Sequence, residues 1–195
     1  VGMLMMPTLS TFMRAWPEIE LDLDFTDRLV DVIQEGFDAV IRTGEANDSR
    51  LMTRKLGTFR YKLVGAPTYF EKHGFPESPA DLSGHQCLYH RYPSTGKVEE
   101  WRLVDYVGEI VEEPARAAVS SAVEPLLYMV RSGLGIACLP DFAVRDELAE
   151  GMLISVLDDA VQKSGDFRIF WPSSRFMSPK LRVFADHMVE NLFPH

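Results

Sequence analysis

Between Ile19 and Arg42 the apolar pattern changes period twice, and this constrains the fold more than any other stretch. Ile19, Leu21, Leu23 and Phe25 alternate with Glu20, Asp22 and Asp24, the period-two signature of a half-buried strand. Asp27 then opens a helix through Val30, Ile33 and Gln34, and Gly36 sits where a left-handed cap belongs. Phe37 to Arg42 (FDAVIR) reads as a mostly buried strand. Strand, helix and buried strand in so short a span predict a βαβ unit of a parallel sheet, which crosses over right-handed.

The same alternation recurs along the chain. A helix over residues 3–15 precedes the unit and stops at Pro17. Residues 59–66 (FRYKLVGA) predict a strand, and Thr68 to His73 a short helix closed by Gly74. Strands follow at 87–90 and 100–104, with another in the stretch 107–119. A helix over about 123–132 ends at Ser132-Gly133, and Ile136 to Leu139 is a buried strand. Asp141 begins a further helix, closed by Gly151. Residues 167–171 (FRIFW) form a strand, and the last helix runs from 178 to 192, with Ser178 as N-cap and Pro179 in the first helical position.

The 195 residues carry 20 basic and 29 acidic side chains, a net charge of −9. Residues 67–166 hold 8 basic and 17 acidic groups and so contain the whole deficit. An acidic chain without a Lys/Arg cluster lacks the electrostatic footprint of a nucleic-acid binder. The two charge boundaries and the turn-rich segment Phe75-Pro76-Glu77-Ser78-Pro79 divide the chain. Residues 1–66 with 167–195 form one α/β subdomain, and 67–166 the other.

Catalytic and metal chemistry find little support. Cys87 and Cys138 lie far apart in sequence without CxxC spacing, which argues against zinc and against a disulfide framework. The five histidines, His73, His85, His90, His187 and His195, show no metal spacing. The sequence holds no G-x-S-x-G, P-loop or G-x-G-x-x-G motif, so no enzyme class and no cofactor is indicated. No apolar run approaches a membrane span. The start, Val1 to Pro7, lacks the basic flank of a signal peptide and an initiator methionine, which reads as a fragment continuing upstream.

Ligands of open parallel sheets bind beyond the carboxyl ends of strands. Two such ends stand out. Val40-Ile41-Arg42-Thr43-Gly44 offers a guanidinium and a hydroxyl, either as a carboxylate clamp or as a surface ion pair with Glu45 or Asp48. Val119-Ser120-Ser121-Ala122-Val123-Glu124 precedes a helix, where Ser121 and Glu124 form a capping box or the hydroxyls and amides meet an anion. Pro125 fits that capping register poorly.

Seven segments in register give the chain a family resemblance. They are Trp16 to Leu21, Asp27 to Val32, Glu35 to Gly44, Leu51 to Gly57, Ala66 to Phe70 with His73-Gly74, Pro79 to Leu82 with His85 and Cys87-Leu88, and Ser132 to Ala137 with Leu139-Pro140. Together they resemble the effector-binding domain of bacterial LysR-type transcriptional regulators over almost the whole chain. The resemblance implies a periplasmic-binding-protein-like α/β fold, with two Rossmann-like subdomains joined by two crossover strands and a small effector in the cleft between them. By motif position it implies effector contacts from Thr26, Asp27, Arg42, Thr43, Ser120, Ser121, Pro140 and Asp141. A small anion is the effector class these residues suit. The resemblance further implies a cytoplasmic homodimer, tetrameric in the full-length protein. DNA is then met only through a winged helix-turn-helix that this chain does not contain, and the chain also lacks the family's first strand. The apolar stripe Met3, Leu4, Met6, Phe12 and Met13 is a surface for such pairing or simply core. A solute-binding protein of a transport system shares the fold and is the alternative. A thiol redox sensor would need Cys87 and Cys138 within about 7 Å between Cα atoms.

Overall fold

The computed structural model describes residues 2–26, 30–43, 49–93, 95–174 and 176–193. Five helices and seven strands follow one another in it: α1 (Gly2–Ala15), β1 (Val40–Thr43), β2 (Leu51–Gly65), α2 (Pro67–His73), β3 (Cys87–His90), β4 (Arg116–Ser120), α3 (Val123–Arg131), β5 (Ile136–Pro140), α4 (Asp141–Ala149), β6 (Ile154–Val156), β7 (Ser164–Pro172) and α5 (Pro179–Asn191). The chain divides into two compact units, Val1–Phe59 with Gly165–His195, and Arg60–Ser164. It passes from one to the other inside β2 and at the start of β7, so the divisions fall at 59/60 and 164/165.

In the second unit β3 runs parallel to both β4 and β5, while β2 pairs antiparallel with β5 and β6. Side chains of a strand point alternately to opposite faces, and here that alternation sorts the core into two clusters. Leu63, Cys87, Tyr89, Ile136 and Cys138 belong to one, with Tyr69, Leu82, Trp101 and Leu103. Val64, Leu88, Ala137 and Leu139 belong to the other, covered by Leu126, Leu127 and Val130 of α3 and Val144 of α4. All five residues of β5 are buried, as expected of a strand covered on both faces. Its entry is tight. A Cβ at Gly135 would stand 2.3 Å from the Gln86 carbonyl oxygen, and Gly133 turns with φ of +71°. These two positions need glycine for space and for backbone conformation respectively.

The first unit differs from the expectation. The alternating stretch 19–25 is not a strand, and Leu23 and Phe25 are exposed. Alternation makes a strand only where a neighbouring backbone offers a free ladder, and no strand among the described residues pairs with it. Residues 27–29 of the expected helix lie outside the described residues. The remainder is a turn over 32–36, held by the Asp31 carboxylate accepting from the Ile33 and Gln34 amides and ended by Gly36 at φ +78°. β1 therefore has no parallel partner there; it pairs antiparallel with β7, Arg42 opposite Arg168 and Val40 opposite Phe170. The βαβ reading of residues 19–42 is corrected accordingly.

Elsewhere the differences are in extent. β2 begins eight residues before the expected strand, and β6 was not expected. The expected strand at 100–104 is reduced to isolated bridges at Leu103 and Val104, and that at 107–119 to β4. α5 follows its sequence signals: Ser178 Oγ accepts from the Leu181 amide at 3.2 Å and Pro179 takes the first turn. α1 packs against α5 through Phe12 and Phe184, ring centroids 5.1 Å apart and edge to face. Thr8 Oγ1 of α1 also donates to the Asn191 carbonyl at 3.2 Å. The expected apolar stripe of α1 is split. Leu4 and Phe12 are buried, whereas Met6 and Met13 are exposed.

Candidate functional site

In the second unit the parallel strands β4, β3 and β5 end at Ser120, His90 and Pro140, with β3 between the other two. His90 lies opposite Ser120 in the ladder, and the Arg91 amide donates to the Ser120 carbonyl at 2.7 Å. The Ser120 hydroxyl accepts from the Ala122 amide at 3.2 Å and lies 3.0 Å from the Ala122 carbonyl. This turn is closed by a side chain next to the helix, not by a cap on it. The N-cap of α3 is Ala122, which has no side-chain bond, so the expected Ser121–Glu124 capping box is not formed. Pro125 is then the third helical residue, where a missing N–H costs no intrahelical bond. Ser121 is exposed.

Pro140 is buried at the end of β5, opposite Tyr61. Asp141, the first residue of α4, accepts from the Arg60 amide at 3.1 Å. Beside this edge stands a polar cluster that sequence reasoning missed. Glu99 is 5% exposed and accepts four bonds: from Tyr61 Oη at 2.7 Å, Tyr92 Oη at 2.6 Å, Lys163 Nζ at 2.7 Å and His90 Nδ1 at 2.8 Å. Lys163 also reaches the Glu100 carbonyl at 2.8 Å and lies 4.4 Å from the Tyr61 ring centroid. Burial alone would raise the Glu99 pKa. The His90 hydrogen bond, the Lys163 charge and bond, and the Tyr92 bond overcome this and hold it at about 2. Burial, reinforced by the facing carboxylate, raises the Tyr61 and Tyr92 hydroxyls well above their ordinary range. The cluster has one carboxylate and one ammonium, with three donors on Glu99 Oε1 and one on Oε2, so its charges are balanced within it.

The first unit presents the other expected residues. Arg42 is half-buried near the end of β1, its guanidinium carbon 4.6 Å from the Phe170 ring centroid. No carboxylate among the described residues pairs with it; Glu45 and Asp48 lie outside them, as does Asp27. Thr43 is exposed at the strand's end, and Thr26 is exposed in an irregular segment. Ser120 with Ser121, and Pro140 with Asp141, thus occupy strand ends on one edge of one unit, separated by the end of β3, and Arg42 with Thr43 a strand end of the other.

The cysteines are core residues. Burial, seconded by Glu113, pushes the Cys87 thiol up to about 12, and burial drives Cys138 higher still. Cys87 lies opposite Ile136 in the ladder, which makes Cys138 its diagonal neighbour on the same face, at about 7–8 Å by ordinary sheet spacing. Protonated thiols at that separation are poor partners for a disulfide. His85 is bonded to Tyr69 Oη at 3.1 Å, not to Cys87, whose thiol donates to the Leu82 carbonyl. Among the described residues no three His, Cys, Asp or Glu gather as a metal-binding group, and no helix is long and apolar enough to cross a membrane.

Comparison with known proteins places this geometry in a family. The LysR substrate binding domain model matches residues 1–193. The transcriptional regulator CrgA of Neisseria meningitidis serogroup C is 35% identical over 190 residues, covering 97% of this chain and 62% of CrgA. A transcriptional regulator of Haemophilus influenzae is 31% identical over 180 residues, covering 90% of this chain and 60% of its own length. The chain therefore spans less than two thirds of these relatives. The solved CrgA regulatory domain superposes with a TM-score of 0.82 at 33% identity, covering 96% of this chain and 91% of that domain. Full-length AphB of Vibrio cholerae, a virulence activator, gives 0.80 at 30% identity, covering 95% and 62%. These relatives are named as regulators, which does not favour a transport receptor. The chain belongs to the LysR substrate-binding domain family, the effector-binding part of LysR-type transcription regulators, and has its periplasmic-binding-protein-like α/β fold.

Proposed function

We propose that this chain senses a small anionic effector for a LysR-type regulator and carries no catalytic activity of its own. Residues 1–66 with 167–195 and residues 67–166 act as its two regulatory subdomains. The observation that supports the anionic reading is Arg42, half-buried on Phe170 with no carboxylate partner among the described residues. A guanidinium so placed offers a planar fork to a carboxylate or phosphate. Thr26, Asp27 and Thr43 join it as the first subdomain's contribution, and Ser120, Ser121, Pro140 and Asp141 are the second's. The effector acts by binding two conformations of the regulator with different affinity, since equal affinity shifts nothing. Output passes to DNA through a separate N-terminal domain, in a cytoplasmic homodimer or tetramer.

A thermal-shift screen of small organic acids and phosphates against the chain, followed by calorimetry, tests this. At least one anion is expected to raise Tm and to lose at least tenfold in affinity on Arg42→Ala. Unchanged affinity of every bound ligand in Arg42→Ala removes the clamp.

A further inference from the structure

Arg168 of β7 lies directly opposite Arg42 of β1 in an antiparallel ladder. Residues paired in this way project to the same face, and like charges so placed repel. Asp166 and Phe170, two residues either side of Arg168, share that face. The Arg42 guanidinium lies over Phe170. Asp166 is the only carboxylate among the described residues that reaches this group, and it is already shared. It pairs with Lys55 Nζ at 2.8 Å, accepts from Thr58 Oγ1 at 2.8 Å, and meets Arg168 Nη2 only at 3.3 Å. The Arg168 Nε is buried and has no hydrogen-bond partner among the described residues. Lys55 and Arg168 thus share one carboxylate, Arg42 has none among the described residues, and a buried guanidinium donor is unspent. A buried N–H without a partner is costly, and native structures rarely keep one without reason.

We infer that Arg42 and Arg168 together form a site for a compact dianion, a dicarboxylate or a phosphate, with each guanidinium taking one pair of oxygens. This rests on the anionic-effector reading above and adds to it a second arginine and a charge of two. A monocarboxylate satisfies one fork and leaves the facing charge unrelieved. A dianion offsets both charges and gives the Arg168 Nε its acceptor.

Side-chain Nε–Hε NMR of the chain, titrated with inorganic phosphate, succinate and acetate at matched ionic strength, tests the site. Phosphate or succinate is expected to shift the Arg42 and Arg168 signals together, with Kd at least tenfold below that of acetate. The tighter of the two assigns the chemistry. Arg168→Gln and Arg168→Lys are each expected to weaken dianion binding at least tenfold, because lysine keeps the charge and loses the fork. If either variant does not fold, the wild-type Arg168 signal decides alone. Acetate binding as tightly as both dianions overturns the site, and so does a dianion that moves Arg42 with Arg168 silent. A ligand that needs Arg42, leaves Arg168 silent and alters the DNA affinity of the full-length regulator keeps the sensing role and removes the second arginine. A dianion that needs both arginines yet leaves that DNA affinity unchanged keeps the site and removes the sensing role.

Discussion

The two polar clusters of this molecule are built on opposite principles. Around Glu99 every acceptor has its donor: two phenols, an ammonium and an imidazole converge on one buried carboxylate. Around Arg42 and Arg168 donors outnumber acceptors, and a buried Nε is left over. The first arrangement holds a structure together, because removing its carboxylate strands every donor. The second is tolerated within the structure and completed only from outside it. Burial of charge is common to both, so burial does not distinguish a structural cluster from a binding one. The balance of donors against acceptors does.

Three measurements break or sharpen this contrast. The largest effect is expected from Glu99→Ala, which leaves Lys163 and two tyrosines without their acceptor; loss of one partner of a buried ion pair costs about 3–5 kcal/mol, read by urea denaturation. Acid titration should give a smaller and graded loss. The folded-state pKa of Glu99, at about 2, lies below its ordinary value of 4.5, so its contribution is fully present above pH 4.5. That contribution is lost as pH falls through 4.5 toward 2, and Glu99→Gln should flatten that part of the stability profile. The smallest effect is expected from Arg42→Thr in the absence of ligand. Relieving a like-charged facing pair offsets the lost packing on Phe170, leaving stability within about 0.5 kcal/mol of the wild type. A loss above about 2 kcal/mol there would place the arginine pair with Glu99 as a structural device.

Much of the second unit was legible in the sequence because its signals are local. Ile136 to Leu139 is a continuous apolar run entered through Gly133 and Gly135 and left through Pro140-Asp141, and β5 and α4 follow it closely. Ser178-Pro179 likewise marks the start of α5. The stretch 19–36 misled because period-two alternation states only that a strand is possible, and the ladder that would realise it must come from elsewhere. Ser120 stands out by its place at a strand end, whereas its bonds, a turn through Ala122, are set by the backbone. The Glu99 cluster had no readable signal, since its members come from positions 61, 90, 92, 99 and 163 and Glu99 sits among many acids. Arg168 gave a faint one: it interrupts the apolar run Phe167 to Trp171, and only the register with β1 brings it opposite Arg42.

The bond from Thr8 to Asn191 and the packing of Phe12 on Phe184 join the two ends of the chain. This sets an order of events during synthesis. The second unit is continuous in sequence from Arg60 to Ser164, and its ends meet where the Tyr61 amide donates to the Lys163 carbonyl at 3.1 Å. It therefore closes on itself and can fold before α5 docks. Helix α1 is made before this unit and α5 after it, so the apolar face of α1 waits for a partner that emerges only once the second unit has been made. Lesions in α5 should accordingly expose α1 to aggregation while leaving the second unit intact.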